Sequence, residues 1–407
     1  MYQGNRNARL RGGAKPVFGR PVGQGYRGGR GGKDGRRPTK PSFDLSRLVN
    51  KAVITEQAEV YVAEHSFIDF AVDERLKKNI VSKGYVTPTP IQDKIIGHIL
   101  RGVDVVGIAN TGTGKTAAFA IPLIDKVLKD NKKKVLIMAP TRELAIQIEE
   151  EIKSFSKYLG LHSVVCVGGA PIGRQIADLR HPNQFVIGTP GRLKDLIERK
   201  CLNLSGFSTV VLDEADRMLD MGFIHDMRYI IGLMQPSKHT LFFSATLSPE
   251  IEKLIGSFLK DPVRISVKTQ DTSKDVHQDV VRIKPGENKL DVLHELLKQE
   301  DFSRVLVFGR TKHGVERLAK MLGDRGFRAE SIHGNKNHNS RQRALKAFKN
   351  SEVRILVATD VAARGLDIAD VSHVINFDLP MTYEEYVHRI GRTGRGGKKG
   401  KALSFVD

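Results

Sequence analysis

Short runs of valine, isoleucine and leucine alternate with amphipathic stretches of helical length from about residue 67 onward. Each run ends in small or polar residues, which is typical of strands that are buried on both faces of a sheet. The alternation predicts βαβ units, and therefore parallel sheets with helices on both faces. The predicted strands are VDVVGIAN, KVLIMAP, QFVIGTP, STVVLDEAD and HTLFFSAT in the first half of the pattern, and RVLVFGR, FRAESIHG, RILVATD, HVINFD and KALSFV in the second.

A polar stretch, KTQDTSKDVHQD, interrupts this alternation and is typical of a linker. We therefore predict a tail and lead-in over residues 1–66, a first α/β domain over 67–267, a linker over 268–279 and a second α/β domain over 280–407. Open sheets of this kind bind ligands beyond the carboxyl ends of their strands. Nearly every polar motif of the chain lies at such an end.

The net charge of +20 indicates a polyanionic partner. Residues 1–45 hold 11 Lys and Arg against two Asp, within a Gly/Arg-rich stretch that has too few large apolar residues to offset the entropy of ordering. We predict that this tail is disordered. Its arginines, with Phe18 and Tyr26, suit loose stacking on single-stranded RNA. The alternative is a solubilising tail that has no specific partner.

The cysteine count and the N-terminal sequence exclude several classes of protein. Cys166 and Cys201 form no CxxC pair and have no histidine cluster beside them, so neither a disulfide framework nor a zinc site is predicted. The N-terminus lacks the apolar core of a signal peptide, and no apolar run of about 20 residues is present. We expect a soluble protein of the cytoplasm that has no membrane partner.

The sequence ANTGTGKT follows the first predicted strand and opens a helix, as a phosphate-binding loop does, except that Ala109 replaces the usual first glycine. Gly112 and Gly114 allow backbone N–H groups to turn toward phosphate oxygens. Lys115 supplies a positive charge for the β- and γ-phosphates, and Thr116 supplies a hydroxyl for Mg²⁺. The loop predicts a nucleoside triphosphate site.

The sequence VVLDEAD places two carboxylates at the end of another buried strand. Asp213 can hold Mg²⁺, partly through water, and Glu214 can orient or deprotonate an attacking water. An acidic helix start is the alternative, because carboxylates favour that end of a helix. With a phosphate loop upstream, the pair indicates hydrolysis of the triphosphate.

The sequence HRIGRTGR near residue 390 leaves two interpretations open. If the helix predicted for TYEEYV continues through it, then His388, Arg392 and Arg395 share one face and Arg389 points elsewhere. The segment is either a basic surface helix or a set of arginines that reach into a reaction. A phosphate loop in the other domain favours the second interpretation.

Nine segments resemble, in order, the motifs of the DEAD-box family of ATP-dependent RNA helicases. The resemblance runs from about Phe67 to the C-terminus and implies two tandem RecA-like domains. The segments are GYVTPTPIQ, ANTGTGKT, PTREL, GG at 168 and 169, TPGR, DEAD, SAT, ATDVAARGLD and HRIGRTGR. His338 and Asn110 depart from the family pattern, since glutamine is common at both positions.

The resemblance implies an ATP site shared by both domains. Gln92 and Phe67 would read adenine, Asp367 would lie near the ribose, and Arg392 and Arg395 would stabilise charge on the γ-phosphoryl group. The implied catalytic residues are Lys115, Asp213, Glu214, Arg392 and Arg395. The implied ATP-binding residues are Phe67, Gln92, Thr111, Gly112, Thr113, Gly114, Lys115, Thr116 and Asp367, with Mg²⁺ held by Thr116 and Asp213.

The resemblance also implies a sequence-independent RNA surface and residues that couple it to ATP. The implied RNA contacts are Pro140, Thr141, Arg142, Gly169, Thr189, Gly191, Arg192, Arg310, Arg341, Thr359 and Arg364. The implied coupling residues are Ser244, Thr246 and His388. His338, three residues before Arg341, weakens the assignment of that contact.

The implied function is RNA-stimulated ATP hydrolysis that is coupled to local unwinding of short RNA duplexes or to ribonucleoprotein remodelling. The partners would be single-stranded and short duplex RNA, and ribosomal or RNA-decay assemblies are further candidates. Two alternatives stay open: an ATP-gated RNA clamp or scaffold, and an RNA chaperone that acts through the basic tail.

Overall fold

A computed structural model of the chain describes residues 43–44, 48–49, 61–110, 112–267, 276–363, 371–394 and 400–406. The predicted Gly/Arg-rich tail lies outside these ranges. The described residues contain two parallel sheets, and no helix among them is long and apolar enough to cross a bilayer. The prediction of two α/β domains with parallel sheets is confirmed.

The first sheet has seven strands in the order β3-β4-β2-β5-β6-β1-β7, and every pair is parallel. Its strands are β1 Val105–Ala109, β2 Lys134–Met138, β3 Ser163–Cys166, β4 Phe185–Gly188, β5 Phe207–Leu212, β6 His239–Ser244 and β7 Val263–Val267. Its helices are α1 Glu74–Ser82, α2 Pro90–Leu100, α3 Lys115–Lys129, α4 Arg142–Phe155, α5 Ile172–Arg180, α6 Pro190–Glu198, α7 Ala215–Asp220, α8 Ile224–Gly232 and α9 Pro249–Phe258.

Successive residues of the first sheet's central strands enter two different apolar clusters. Val105 and Ile137 pack in one cluster, whereas their neighbours Val106 and Leu136 pack in the other. Because side chains alternate along a strand, both faces of the sheet are covered by helices. This burial on both faces explains why these strands are continuous apolar runs in the sequence.

The second sheet has six strands in the order β10-β11-β9-β12-β13-β8, again all parallel. Its strands are β8 Val276–Arg282, β9 Val305–Phe308, β10 Ala329–Ile332, β11 Ile355–Ala358, β12 His373–Asn376 and β13 Gly400–Val406. Its helices are α10 Lys289–Leu297, α11 Lys312–Asp324, α12 His338–Lys349, α13 Asp360–Ala363 and α14 Tyr383–Ile390.

The predicted linker extends too far at its C-terminal end, because β8 begins at Val276 and pairs with β13. Val276 and Gln278 are buried, whereas His277 and Asp279 are exposed. Because Gln278 is polar, the sequence does not indicate that it is buried. Its side-chain oxygen accepts a hydrogen bond from the Tyr386 hydroxyl at 3.0 Å. An edge strand with one polar face therefore has no continuous apolar run.

Candidate nucleotide and RNA site

The phosphate loop connects the end of β1 to the first residue of α3. Gly112 and Gly114 have φ angles of +87° and +90°, in the left-handed region that favours glycine. A Cβ atom at Gly114 would collide with the side-chain amide of Gln92. Glycine is required at this position both by backbone conformation and by the close approach of another helix.

The first turn of α2 holds this loop by hydrogen bonds. Thr89 Oγ1 donates to the carbonyl of Thr113 at 2.8 Å, and Gln92 Nε2 donates to the carbonyl of Gly114 at 3.0 Å. The backbone N–H of Thr89 donates to Gln92 Oε1 at 2.9 Å, which completes a capping box at the start of the helix. Gln92 therefore supports the phosphate loop, and its predicted contact with adenine stays a prediction.

Lys115 and Asp213 lie at the carboxyl ends of β1 and β5. Lys115 Nζ donates to the carbonyl of Ala109 at 2.7 Å. Burial raises the pKa of the Asp213 carboxyl to about 6, and the charge of Lys115 offsets part of this effect. A buried carboxylate with a raised pKa is favourable for holding a cation, because a cation would stabilise its charged form.

A cleft of about 310 Å³ opens beside these groups. The sequence predicts that the phosphate loop and the DEAD carboxylates share one site, and the structure brings them together here. The lining residues are Tyr85, Gly112, Gly114, Lys115, Thr116, Ala117, Leu144, Gln147, Glu151, Asp213 and Glu214. Within the described ranges no three His, Cys, Asp or Glu side chains cluster as a complete metal site. A cation here would need Thr116, Asp213, phosphate oxygens and water, which is the ligand set that Mg²⁺ commonly takes.

Glu214 and Arg217 form a buried pair beside the cleft. Glu214 has a φ of +51°, which is uncommon for a residue with a side chain and often marks a functional position. Arg217 Nε lies 3.4 Å from Glu214 Oε2, and the arginine side chain is almost fully buried, with the residue 1% exposed. Its Nη1 and Nη2 atoms make no hydrogen bond to the described residues. Arg217 is not among the site residues predicted from the sequence.

The last aspartate of the DEAD sequence connects it to the SAT segment. Asp216 Oδ2 accepts hydrogen bonds from the backbone N–H groups of Ala245 and Thr246, at 3.0 and 3.1 Å, and from Thr246 Oγ1 at 3.2 Å. Ser244 Oγ donates to the carbonyl of Thr246 at 2.8 Å. The predicted coupling residues Ser244 and Thr246 therefore lie directly against the acidic motif, and Asp216 is the contact that the sequence analysis omitted.

Three of the predicted RNA segments meet on the first domain. The Arg142 guanidinium lies over Gly168 and Gly169, where a Cβ at Gly169 would collide with it. Gly169 has a φ of +72°. Arg192 Nη1 donates to the carbonyl of Ala170 at 3.3 Å. PTREL, the glycine pair and TPGR thus form one continuous surface.

The hydroxyl and backbone groups of this surface differ in what they can offer a ligand. Thr141 caps α4 by accepting from the backbone N–H of Leu144 at 3.3 Å, and it is buried beside Pro140. Thr189 opens α6 without a side-chain cap bond and is half-buried, and Gly191 is exposed. Thr189 is therefore better placed than Thr141 to contact a phosphate or a 2′-hydroxyl.

On the second domain, Arg310 and Thr359 follow the ends of β9 and β11. Arg310 is exposed, and its backbone N–H donates to Asp378 Oδ2 at 2.8 Å. Arg341 differs, because it is buried with Nη2 2.7 Å from Glu143 Oε2 of the first domain. The structure places Arg341 in an ion pair between the domains.

The HRIGRTGR segment is helical only as far as Ile390, where α14 ends. Arg389 is buried, and it donates to both carboxylate oxygens of Asp360 at 2.6 and 2.7 Å. The spacing predicts that Arg389 points away from the face of His388 and Arg392, and the three residues line one small cavity of about 10 Å³. The helical spacing used for that prediction does not extend to Arg392, which lies beyond the helix.

Several predicted residues are buried or fall outside the described ranges. Thr111, Arg364, Asp367 and Arg395 lie outside them. Phe67 is 1% exposed, and its ring packs edge-on against Tyr85 at 5.5 Å and Phe70 at 6.1 Å. Stacking of adenine on Phe67 stays a prediction that requires one face of this ring to be uncovered.

Comparison with known proteins agrees with this geometry. The DEAD/DEAH box helicase family matches residues 89–254, and the helicase conserved C-terminal domain matches residues 288–397. The ATP-dependent RNA helicase CshA of Limosilactobacillus reuteri is 46% identical over 342 residues, which are 84% of this chain and 69% of that protein. The chain belongs to the DEAD-box family of ATP-dependent RNA helicases. The predicted membership of this family is confirmed.

Solved structures of DEAD-box proteins share the fold. S. cerevisiae Dbp5 bound to RNA and ADP BeF3 matches with a TM-score of 0.75 at 30% identity, over 84% of this chain and 89% of that one. Mss116p bound to ssRNA and AMP-PNP matches with a TM-score of 0.75 at 32% identity, over 82% and 72%. The DEAD box protein of Methanococcus jannaschii matches with a TM-score of 0.50 at 42% identity, over 84% and 93%.

Proposed function

We propose that this DEAD-box protein hydrolyses ATP in response to RNA and uses the cycle to separate short RNA duplexes or remodel ribonucleoproteins. One observation carries the proposal. Arg217, three residues after Glu214 in the first domain, and Arg392 of the second domain line the same small cavity. An arginine from one domain therefore lies beside the acidic motif of the other, as a shared ATPase site requires.

The residues of the cleft fit ATP with Mg²⁺. The backbone N–H groups around Gly112, Thr113 and Gly114 would bind phosphate oxygens, and Lys115 would exchange its bond to Ala109 for the β- and γ-phosphates. Thr116 and Asp213 would hold Mg²⁺, which neutralises charge on the phosphates when it is bound.

Glu214 is the proposed base that orients the attacking water. Arg392, with Arg395, would stabilise the charge that develops on the γ-phosphoryl group, and an arginine in this role is worth about 10³ to 10⁵ in rate. His388 lines the same cavity, and Ser244 and Thr246 contact the acidic motif through Asp216. Through these contacts, a movement of the second domain or of the SAT segment would change the position of groups at the proposed site of hydrolysis.

RNA would bind along the surface made by Arg142, Gly169, Thr189 and Arg192, continued by Arg310, Thr359 and Arg364. Backbone N–H groups, hydroxyls and arginines suit phosphates and 2′-hydroxyls, which carry no base sequence. The higher TM-scores for the RNA-bound relatives, despite lower identity, support a similar arrangement of the two domains here. RNA held by both domains would favour closure, and a bent strand would lose local base pairs.

The test is ATP turnover with and without single-stranded RNA, for the wild type and for Arg392→Ala. We expect strong stimulation by RNA that is lost in the variant, while RNA affinity is retained. Arg317→Ala is the matched control, because Arg317 is exposed on the second domain away from the cavity. Unchanged turnover at saturating RNA in Arg392→Ala would show that the segment only binds RNA.

Strand displacement on short blunt and tailed duplexes separates unwinding from the alternatives. Turnover without displacement would favour an ATP-gated clamp or scaffold. Annealing that survives Lys115→Ala but is lost with the tail would favour an RNA chaperone. We expect displacement that depends on Lys115.

A further inference from the structure

Two apolar residues that precede the first domain in sequence pack on the second domain. Leu48 is 0% exposed and belongs to the apolar cluster that covers one face of the second sheet. Phe43 is partly buried against the same cluster. Both residues lie in the stretch that the sequence predicts to be a tail and lead-in, outside either domain. We call the four described residues of this stretch, Phe43, Asp44, Leu48 and Val49, the lead segment.

The lead segment contacts the helix that precedes Arg392. The ring of Phe43 lies 6.0 Å from that of Tyr383 in an edge-to-face arrangement and 6.4 Å from that of Tyr386. Both tyrosines are on α14, and Tyr386 and Ile390 share the apolar cluster with Leu48. Aromatic pairs in this range of distances are favourable beyond the apolar area that they bury.

Helix α14 depends on such packing for its position. It has eight residues, and a helix this short has little stability without tertiary contacts. It carries His388 and leads through Gly391 directly to Arg392. A small displacement of this helix would move the arginine relative to the phosphates, and displacements of about 1 Å can lower catalytic rates about 100-fold.

The chain then returns to the first domain next to Gln92. Tyr61 Oη and the backbone N–H of Glu64 donate to Asp93 Oδ2, at 2.5 and 2.8 Å, and His65 Nδ1 lies 2.7 Å from Asp93 Oδ1. Residues 50–60 therefore connect a segment anchored on the second domain to the start of the first. The two domains are joined by the polypeptide twice, here and between β7 and β8.

We propose that Phe43 and Leu48 are positioning residues for ATP hydrolysis, which hold α14 so that Arg392 reaches the γ-phosphoryl group. This inference rests on the proposed role of Arg392. Phe43 and Leu48 pack in the apolar cluster that contains Tyr386 and Ile390 of α14, and without them the helix loses part of its cover. The consequence is a loss in kcat for RNA-stimulated hydrolysis, with binding of ATP to the first domain unaffected.

The test compares Phe43→Ser and Leu48→Ser with Val49→Ser in the full chain. Val49 is 54% exposed, so its variant controls for an added hydroxyl in the same segment. We expect kcat at saturating ATP and RNA to fall about 10-fold for the first two variants and KM for ATP to change less than about 2-fold. Val49→Ser should match the wild type. Phe43→Tyr, which keeps an aromatic ring at this position, should also match it.

Because Leu48 is fully buried, its variant is checked by thermal unfolding, and Phe43→Ser decides the outcome if Leu48→Ser is unfolded. The decisive comparison places Phe43→Ser in the Arg392→Ala background. No further loss in the double variant supports the inference, whereas a full additional 10-fold loss overturns it, as does an unchanged kcat in Phe43→Ser alone. If Arg392→Ala itself keeps wild-type kcat, then the proposed role of Arg392 in hydrolysis is wrong, and this failure is distinct from a failure of the proposal for Phe43 and Leu48.

Discussion

Arg341 of the second domain lies with Nη2 2.7 Å from Glu143 Oε2 of the first domain, and both residues are buried. Neither Glu143 oxygen has a well-aligned hydrogen-bond partner among the described residues, so the contact is an ion pair of close approach rather than an aligned hydrogen bond. The nearby positive charge of Arg341 also lowers the pKa of Arg142, after the larger effect of burial. The pair joins the domains directly beside the proposed RNA surface.

We predict that Arg341→Met and Glu143→Gln each weaken RNA binding in the presence of a non-hydrolysable ATP analogue about 10-fold. Each variant leaves the other charge buried without its partner, and residues in direct contact couple by about 1 to 2 kcal/mol. The double variant should be no weaker than the worse single variant. The measurement is a double-mutant cycle of RNA affinity with and without nucleotide.

If Arg341 instead contacts an RNA phosphate directly, a different result is expected. Loss of this contact would reduce the salt dependence of single-stranded RNA binding by about 0.7 log units per log unit of salt, with or without nucleotide. We expect an unchanged salt slope in the absence of nucleotide, with Arg343→Ala, an exposed arginine on the same helix, as the control.

We predict that Asp213 makes nucleotide binding dependent on pH. Its pKa is raised to about 6 by burial, so the carboxyl becomes protonated as the pH falls below 6 and can no longer hold Mg²⁺. Affinity for ATP with Mg²⁺ should fall about 10-fold between pH 7 and pH 5, because about nine tenths of the carboxyl is then protonated. Titration of the protein with a fluorescent ATP analogue at pH 7 and at pH 5, with Mg²⁺ or with EDTA, measures this affinity.

Asp213→Asn serves as the control for this effect. The variant should bind Mg²⁺ and ATP weakly at both pH values and should lack the pH-dependent difference. A wild-type difference that persists in EDTA would assign the titration to another group.

Gly114→Ala should impair ATP binding through Gln92. The new Cβ collides with the Gln92 amide and occupies left-handed backbone, so both the loop and the first turn of α2 must move. We expect KM for ATP to rise about 10-fold or more, consistent with a displaced binding group. Steady-state kinetics at saturating RNA are the measurement.

Gly102→Ala is the matched variant, since Gly102 has a φ of +78° and open space around its Cβ position. It should cost about 1 kcal/mol of folding stability and leave KM for ATP unchanged. Equal effects of the two substitutions on KM would mean that backbone strain alone explains the loss.

Thr246→Val should separate hydrolysis from strand displacement. The substitution removes the side-chain hydrogen bond to Asp216 and retains the backbone bond. We expect RNA-stimulated turnover to fall about 2-fold, which corresponds to the loss of one weak hydrogen bond, and displacement to fall about 10-fold. If turnover and displacement fall by the same factor, then Thr246 acts in ATP hydrolysis and not in its coupling to displacement.

Deletion of residues 1–40 tests the basic tail and keeps the lead segment. If the tail contacts RNA, the salt slope of RNA affinity should fall by about 0.7 for each phosphate contact that is lost. ATP turnover at saturating RNA should not change, because Phe43 and Leu48 remain. An unchanged slope would leave the tail without an RNA contact.

The central strands and the two halves of the candidate nucleotide site could be predicted because each is local in sequence. The apolar runs of β1, β2 and β5 are strands buried on both faces, and the phosphate loop directly follows one of them. The strands β3, β7 and β8 were not predicted, since each has half-buried or exposed positions that interrupt the apolar pattern.

The missed residues act across long separations in sequence. Arg217 directly follows the DEAD sequence, but only the fold shows that it lines a cavity together with Arg392. The partners Glu143 and Arg341 are in different domains, and Phe43 packs on a helix 340 residues further along the chain. No periodicity in one sequence reports such contacts, because each depends on how the finished sheets are arranged.

Thr89 and Gln92 donate hydrogen bonds to the carbonyls of Thr113 and Gly114. The start of α2 is therefore held directly against the phosphate loop, although the two are separate in sequence. When the loop is fixed by a ligand, the first backbone N–H groups of that helix should exchange with solvent more slowly. A spectroscopic probe placed at this helix start would therefore report occupancy of the phosphate loop.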